Sequence, residues 1–380
     1  MFVDSEKERE YFFEHMWRQV DKKFYVKDLH GVDWSFYKNE YKKFLPHINN
    51  DFDFAQMMSE MLGELNASHT GCRHYSRSNT GDNTASLGLY LKHLENSNGL
   101  RILDIMDKSP VIDAKSKIKI GDIIEKIDGV TITPSSNIAS LLNRKEGKNT
   151  LLSIYNGKNR WEETVKPISR NKENTLRYER WIENCRSFVD SISDGKIGYV
   201  HIKSMSDHSY RPFYEDVLGK NHLKDALIVD TRFNGGGWMH DDLVVFLSGT
   251  KYFTFYPRGQ NLGGESLFRW QKPSAVVMGE GNYSDAHVFP VAYKELGVGK
   301  LIGMPVPGTG TAVWWEMLHN ESLVFGIPQV GILTDDGKYL ENTQLEPDFK
   351  IANKPEKISS GWDEQLQKAV EHLIQETKNE

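Results

Sequence analysis

Between positions 6 and 65 the apolar residues recur at helical spacing: Tyr11, Phe12, Met16 and Val20, then Trp34, Tyr37, Tyr41 and Phe44, then Phe54, Met57, Met58, Met61 and Leu65. Recurrence at i, i+3 and i+4 is what a helix with one face against a core requires, so the chain opens on a helical subdomain spanning 1–80. The methionine and aromatic stripes follow that period and read as packing rather than as a cofactor box. The third run leaves its helix through Asn66, Ala67, Ser68, His69, Thr70 and Gly71, a polar exit that packing does not account for.

From about 81 to 170 the pattern changes to short β-type runs at 87–91, 100–105, 123–127 and 151–155, separated by Gly and Asn turn signals. A separate β-rich module is predicted there, followed by a charged linker at 169–174. Over 171–380, strand-like and helix-like segments alternate: 196–202, 206–218, 226–231, 240–247, 275–279, 284–296 and 301–304, with a closing amphipathic helix at 362–374. Strand followed by helix, repeated, predicts an α/β layer. The expected fold class is thus a multidomain α+β and α/β protein, with no internal repeat.

Length and composition narrow the function. A chain of 380 residues has room for two or three domains, each with its own core. Mean hydropathy is −0.55, but 11% aromatic residues are too many for a disordered chain. The net charge of −6, without a basic block, argues against avid binding to nucleic acid. Uncharged apolar runs such as 226–229 and 275–278 are strand-sized, so no membrane span is expected. Positions 1–10 are charged from Asp4 onward and lack an apolar signal core. Two cysteines, Cys72 and Cys185, permit at most one disulfide and no cysteine-rich zinc site.

Two segments are candidates for chemistry. In Ile228-Val229-Asp230-Thr231-Arg232-Phe233-Asn234-Gly235-Gly236-Gly237 an apolar strand runs into three glycines, which turn backbone N–H groups into open space and can hold an oxyanion. It lacks the spacing of a nucleotide loop, and a plain tight turn is its bland alternative. The strand at 275–279 leads through Asn282 and Tyr283 to Ser284 and Asp285 at the mouth of a helix, where free amides and the helix dipole favour negative charge. An N-cap serine belongs at the same place. Other groups weigh less. His69, Cys72 and His74 lack a fourth metal ligand and there is no HExxH. His240-Asp241-Asp242 is accounted for as an acidic helix start, and Trp314, Trp315 and Glu316 as strand residues.

Several of these segments carry a resemblance. Asp107-Lys108-Ser109-Pro110-Val111 followed by Ile120-Gly121-Asp122-Ile123 through Asp128-Gly129-Val130 resembles a PDZ domain of the bacterial protease type, with Ser86, Leu87, Gly88 and Leu89 in the place of its carboxylate-binding loop. Such a domain adds an extended peptide to a sheet edge; an inert spacer is the alternative. "ELNASHTG" at 64–71, "DTRFNGGG" at 230–237, "NYSD" at 282–285 and "ENTQLEPD" at 341–348, in this order around the insertion, resemble the catalytic half of the tricorn proteases, within the C-terminal processing serine peptidases.

The resemblance implies a ClpP- or crotonase-like catalytic domain over 171–380. It implies Ser284 as nucleophile, His69 as general base, and Glu341 with Ser68 as its supports, a Ser-His-Ser-Glu tetrad acting through an acyl-enzyme. The oxyanion would meet the N–H of Asp285 and that of Gly236, with Gly235 as second choice. The related Ser-Lys branch is disfavoured because Thr309 stands where its lysine would be. The resemblance also implies peptide or polypeptide substrates, no cofactor, no metal, a homo-oligomer (a hexamer in the family), and a cytoplasmic setting. Two other readings stay open: a non-catalytic PDZ-containing binder on the same fold, and a crotonase-like acyl-CoA enzyme.

Overall fold

Five parallel strands form the sheet that positions the candidate site, in the order Ile197–His201, Ala226–Asp230, Ser274–Met278, Lys300–Gly303 and Phe349–Lys350. They are seen in a computed structural model that describes residues 5–75 and 81–379. The chain forms two compact units, one made of 1–77 with 186–380, the other of 78–185.

In the first unit, Ala226–Asp230 and Ser274–Met278 are buried at every position, as strands covered on both faces must be. Leu227, Val229, Val276 and Met278 meet Leu243 and Phe246 of the helix His240–Leu247 and Phe289 of the helix Asp285–Glu295. The alternate residues serve the other face, against which the helix Glu364–Asn379 packs. A second core joins the helices Ser5–Lys23, Trp34–Lys42 and Asp51–Gly63 to an antiparallel sheet ordered Gly71–His74, Leu323–Gly331, Thr311–Met317: Phe12, Met16, Phe54 and Met58 lie with Leu323, Phe325 and Ile327. Asp33 and Asn50 start the second and third helices, accepting from the N–H groups of Phe36 and Asp53.

The second unit holds Leu89–His93, Leu100–Ile105, Ile123–Ile127, Thr150–Tyr155 and Arg160–Val165 in one antiparallel sheet, with Val130–Thr131 pairing Ile123–Ile127. Its core is Leu87, Leu89, Ile102, Ile124, Leu152 and Ile154, with the short helix Ile138–Leu142 beside it.

The expected linker at 169–174 is corrected: Arg170–Ile192 is one long helix. Its charge run conceals a helix start. Ser169 Oγ accepts from Lys172 N–H, and the buried Glu173 carboxylate takes both Arg170 and Arg177 at helical spacing. Leu176, Cys185 and Val189 supply its buried face. Among the described residues no helix is long and apolar enough to cross a membrane.

Candidate active site

Ser284 ends the turn after Ser274–Met278 with φ 57° and ψ −126°, and its side chain does not cap the helix that follows. The N-cap explanation therefore falls. A non-glycine residue held at such angles costs of order 1–3 kcal/mol, which the surroundings must offset. They do so on three sides. Thr309 Oγ1 accepts Ser284 N–H at 2.9 Å, Tyr283 N–H donates to Asn234 O at 3.0 Å, and Asn282 Nδ2 donates to Thr231 Oγ1 and Ala286 O. Thr309 is held in turn by its own N–H, which donates to Nδ1 of the fully buried His287 at 3.3 Å. Thr309 thus supports the serine backbone.

His69 arrives from the other side. It too has a positive φ, 61°, and its N–H donates to Tyr283 OH at 2.8 Å, with the two rings 4.7 Å apart. The residue before the serine thus grips the backbone of the histidine. Ser68 Oγ donates to Glu341 Oε2 at 2.8 Å, leaving it to accept His69 Nδ1–H at 2.7 Å, and Ser68 N–H donates to the other carboxylate oxygen. This order places the ring proton on Nδ1 and leaves Nε2 as the basic nitrogen. Thr311 Oγ1, 3.1 Å from His69 Nδ1 and 3.4 Å from Ser68 Oγ, closes the group; nothing in the sequence singled it out. Asn342 Nδ2 donates to Asn66 O and so ties the Glu341 segment to the segment carrying Ser68.

Burial pushes the His69 pKa down to about 4 and raises that of the Glu341 carboxyl, against the pull of its Ser68 and Thr311 hydrogen bonds. The structure therefore brings Ser68, His69 and Glu341 together, and Tyr283, the residue before Ser284, bonds to the His69 backbone. Among the described residues Ser284 Oγ has no hydrogen-bond partner.

The glycine turn abuts the serine. A Cβ on Gly236 would stand 2.6 Å from Ser284 Cβ and 3.1 Å from Asp285 N, at φ 93°; only glycine fits. Gly236 N–H, the first choice for an oxyanion donor, is already committed to Asn234 Oδ1 at 2.8 Å. Among the described residues the N–H groups of Gly235 and Gly237 have no such partner. Gly236 O and Trp238 N–H both engage Met205, so the intervening Gly237 N–H points away from it. Among the described residues Asp285 N–H, at the start of its helix, has no acceptor.

Several of the other sequence candidates are accounted for by packing or local bonds. Cys72 lies in the second core, where burial drives its thiol up to about 12. Trp315 lies under Arg73, and Glu316 accepts from His15. In the other unit Ser86, Leu87 and Leu89 are buried along one wall of a cavity of about 490 Å³ whose opposite wall is Ile138, Ala139 and Leu142. Gly88 N–H donates there to Ser86 Oγ.

Residues 196–351 match peptidase family S41, and residues 5–63 match the tricorn protease C1 domain. In class, then, residues 196–351 are similar to the peptidases of family S41. More particularly, it is tricorn-like over nearly its whole length. A putative tricorn-like protease C-terminal subunit of Sulfurisphaera tokodaii is 28% identical over 99% of this chain and 44% of its own. The tricorn protease of Thermoplasma acidophilum is 26% identical over 90% of this chain and 32% of its own. The chain spans less than half the length of these relatives. Its fold matches the crystal structure of the tricorn protease with a TM-score of 0.83 over 98% of this chain and 37% of that one, at 23% identity. Mature CPAF matches at 0.57 over 99% of this chain and 98% of that one, at 15% identity.

Proposed function

We propose that this chain hydrolyses peptide bonds in oligopeptides or unfolded polypeptides through an acyl-enzyme. Ser284 Oγ attacks the carbonyl carbon while His69 Nε2 takes its proton; the imidazolium keeps its Nδ1–H on Ser68, whose hydroxyl leans on Glu341. The oxyanion is met by Asp285 N–H and by an uncommitted amide of the glycine turn, Gly235 or Gly237. His69 returns the proton to the leaving amine, and water, deprotonated by the same nitrogen, releases the acid. The observation that carries this reading is the hydrogen-bonded line Glu341–Ser68–His69, which fixes the ring tautomer with Nε2 basic and is bonded through the His69 backbone to Tyr283, the residue before a serine held at φ 57°. No step calls for a metal or cofactor.

The same proposal includes three features supported by the resemblance. Residues 171–380 form a ClpP- or crotonase-like catalytic domain. Residues 81–170 act as a PDZ-like module whose groove between Leu89–His93 and Ile138–Leu142 takes an extended peptide. The chain works in the cytoplasm as a homo-oligomer, a hexamer by family resemblance; Tyr252, Phe253, Leu262, Leu267 and Phe268, all more than half exposed around the hairpin of Phe253–Thr254 and Gly264–Glu265, are an apolar surface suited to self-association.

Digestion of a peptide library, read by mass spectrometry, tests the reading. Cleavage by the native chain and none by Ser284→Ala is expected. A native chain that binds library peptides without cleaving them would instead favour the non-catalytic binder, and turnover of an acyl-CoA by Ser284→Ala the crotonase-like enzyme.

A further inference from the structure

We propose that His240 is a positioning residue for the oxyanion site, locking Asp285, and with it the amide next to the nucleophile, onto the far end of the glycine turn. This rests on the catalytic reading of Ser284 above.

Asp285 is 3% exposed, and its carboxylate accepts three hydrogen bonds: Met239 N–H at 2.5 Å and His240 N–H at 3.0 Å on Oδ2, and His240 Nδ1–H at 2.5 Å on Oδ1. The two amides open the helix His240–Leu247, whose N-cap residue Met239 has no capping side chain. Asp285 is therefore that helix's cap, supplied from another element. On the other flank of the serine, Tyr283 N–H is bonded to Asn234 O. Residues 283 and 285 are thus tied to the two ends of one loop, 234–240, and Ser284 sits between the ties with Gly236 against it.

The consequence is geometric. Asp285 is a backbone donor to the oxyanion and a side-chain acceptor for the loop, so the angle of its carboxylate and the aim of its N–H are linked through one Cα. Backbone amides engage only Oδ2. Among the described residues Oδ1 is bonded by the His240 side chain alone, and without it the carboxylate is held only through the two amides on Oδ2 and can tilt about that oxygen. The imidazole is itself braced by Trp238, whose ring meets it edge-on with centroids 5.5 Å apart. Oxyanion donors act through placement fixed before reaction, so a loosened amide lowers kcat more than it weakens ground-state binding.

Steady-state hydrolysis of a chromogenic peptide by the native chain, His240→Leu, His240→Asn and Asp285→Asn provides the test, with thermal unfolding midpoints read alongside. For His240→Leu a fall in kcat of about 10- to 100-fold with KM changed less than about twofold is expected, since losing an oxyanion donor outright costs about 10²–10³. His240→Asn, whose Nδ2 donor can take the place of Nδ1, should recover most of that loss. Asp285→Asn, nearly isosteric and lacking one acceptor oxygen, should fall between the two. Native kcat in His240→Leu, a rise in KM with kcat unchanged, or equal losses in His240→Leu and His240→Asn would overturn the assignment. A native chain that cleaves no peptide and takes no fluorophosphonate on Ser284 overturns the catalytic reading and this inference with it; labelling of Ser284 with an unaffected His240→Leu overturns this inference alone.

Discussion

Thr309 shows what a single residue decides at this site. Its hydroxyl accepts Ser284 N–H and so supports the positive-φ backbone at Ser284. Thr309→Val keeps the shape and leaves that N–H without an acceptor, a loss of about 1–3 kcal/mol where the group is buried. A drop in kcat of about tenfold or more, read on a chromogenic peptide, is expected. His69 and His287 set the pH response: burial holds both at about 4, below the ordinary 6.5. As pH falls below 6.5 the unfolded chain takes up protons that the fold refuses, so stability declines progressively down to about 4 and these two groups cost nothing above 6.5. His69 stays basic through that window, so the acid limb of kcat/KM should lie nearer pH 4 than pH 6.5; a limb at 6.5 in stopped-flow pH jumps would contradict the burial of His69. Ser68, His69, Ser284 and Glu341 were identifiable as candidates in the sequence because each sits in a short segment of recognisable order. Thr311, Tyr283 OH and Asn342 were not, because their roles come from partners 214 to 276 residues away.

At the scale of elements, the strand Ala226–Asp230 has to be anchored where it turns into the glycines. Arg232 does this, bonding Asp230 and Asp363 in a buried group joined by Tyr199 OH and Gln365. Burial alone would raise the Asp230 carboxyl; Arg232 and His201 hold it low instead. Asp230→Ala removes Arg232's nearest partner from a buried ion group and should cost about 3–5 kcal/mol in urea unfolding; a loss below about 1 kcal/mol would show that the group is relaxed or hydrated. Strand register matters in the same way. Gly71 pairs with Gly326, and a Cβ on Gly326 would stand 2.2 Å from His69 O. Gly326→Ala should therefore displace His69 and lower kcat by about 10²-fold with the fold retained. The apolar strands and helix periods announced the α/β layer and the N-terminal helices. The sheet of Gly71–His74, Leu323–Gly331 and Thr311–Met317 was hidden, since its first strand lies some 240 residues before the other two and pairing register is invisible to local pattern. The helix Arg170–Ile192 was masked by its own ion pairs, which look like a solvated linker.

For the molecule as a whole, one unit assembles the site from both ends of the chain: 5–75 delivers Ser68 and His69, and the segment after 186 delivers Ser284, Thr309, Thr311 and Glu341. The core that joins Phe12, Met16, Phe54 and Met58 to Leu323 and Phe325 is what holds those ends together. Self-association is predicted to use the aromatic hairpin, so sedimentation velocity should show an assembly that Phe253→Ser with Phe268→Ser reduces; a monomer at all concentrations would remove the oligomer from the proposal. The proposed chemistry stands on a hydroxyl at 284 made nucleophilic by the imidazole at 69. Reaction with a fluorophosphonate at neutral pH, followed by peptide mapping, measures that directly. A single phosphonyl adduct on Ser284, formed at least about 10³-fold more slowly in His69→Ala, is the expected result; an adduct on another residue, or a rate on Ser284 indifferent to His69, would contradict the account.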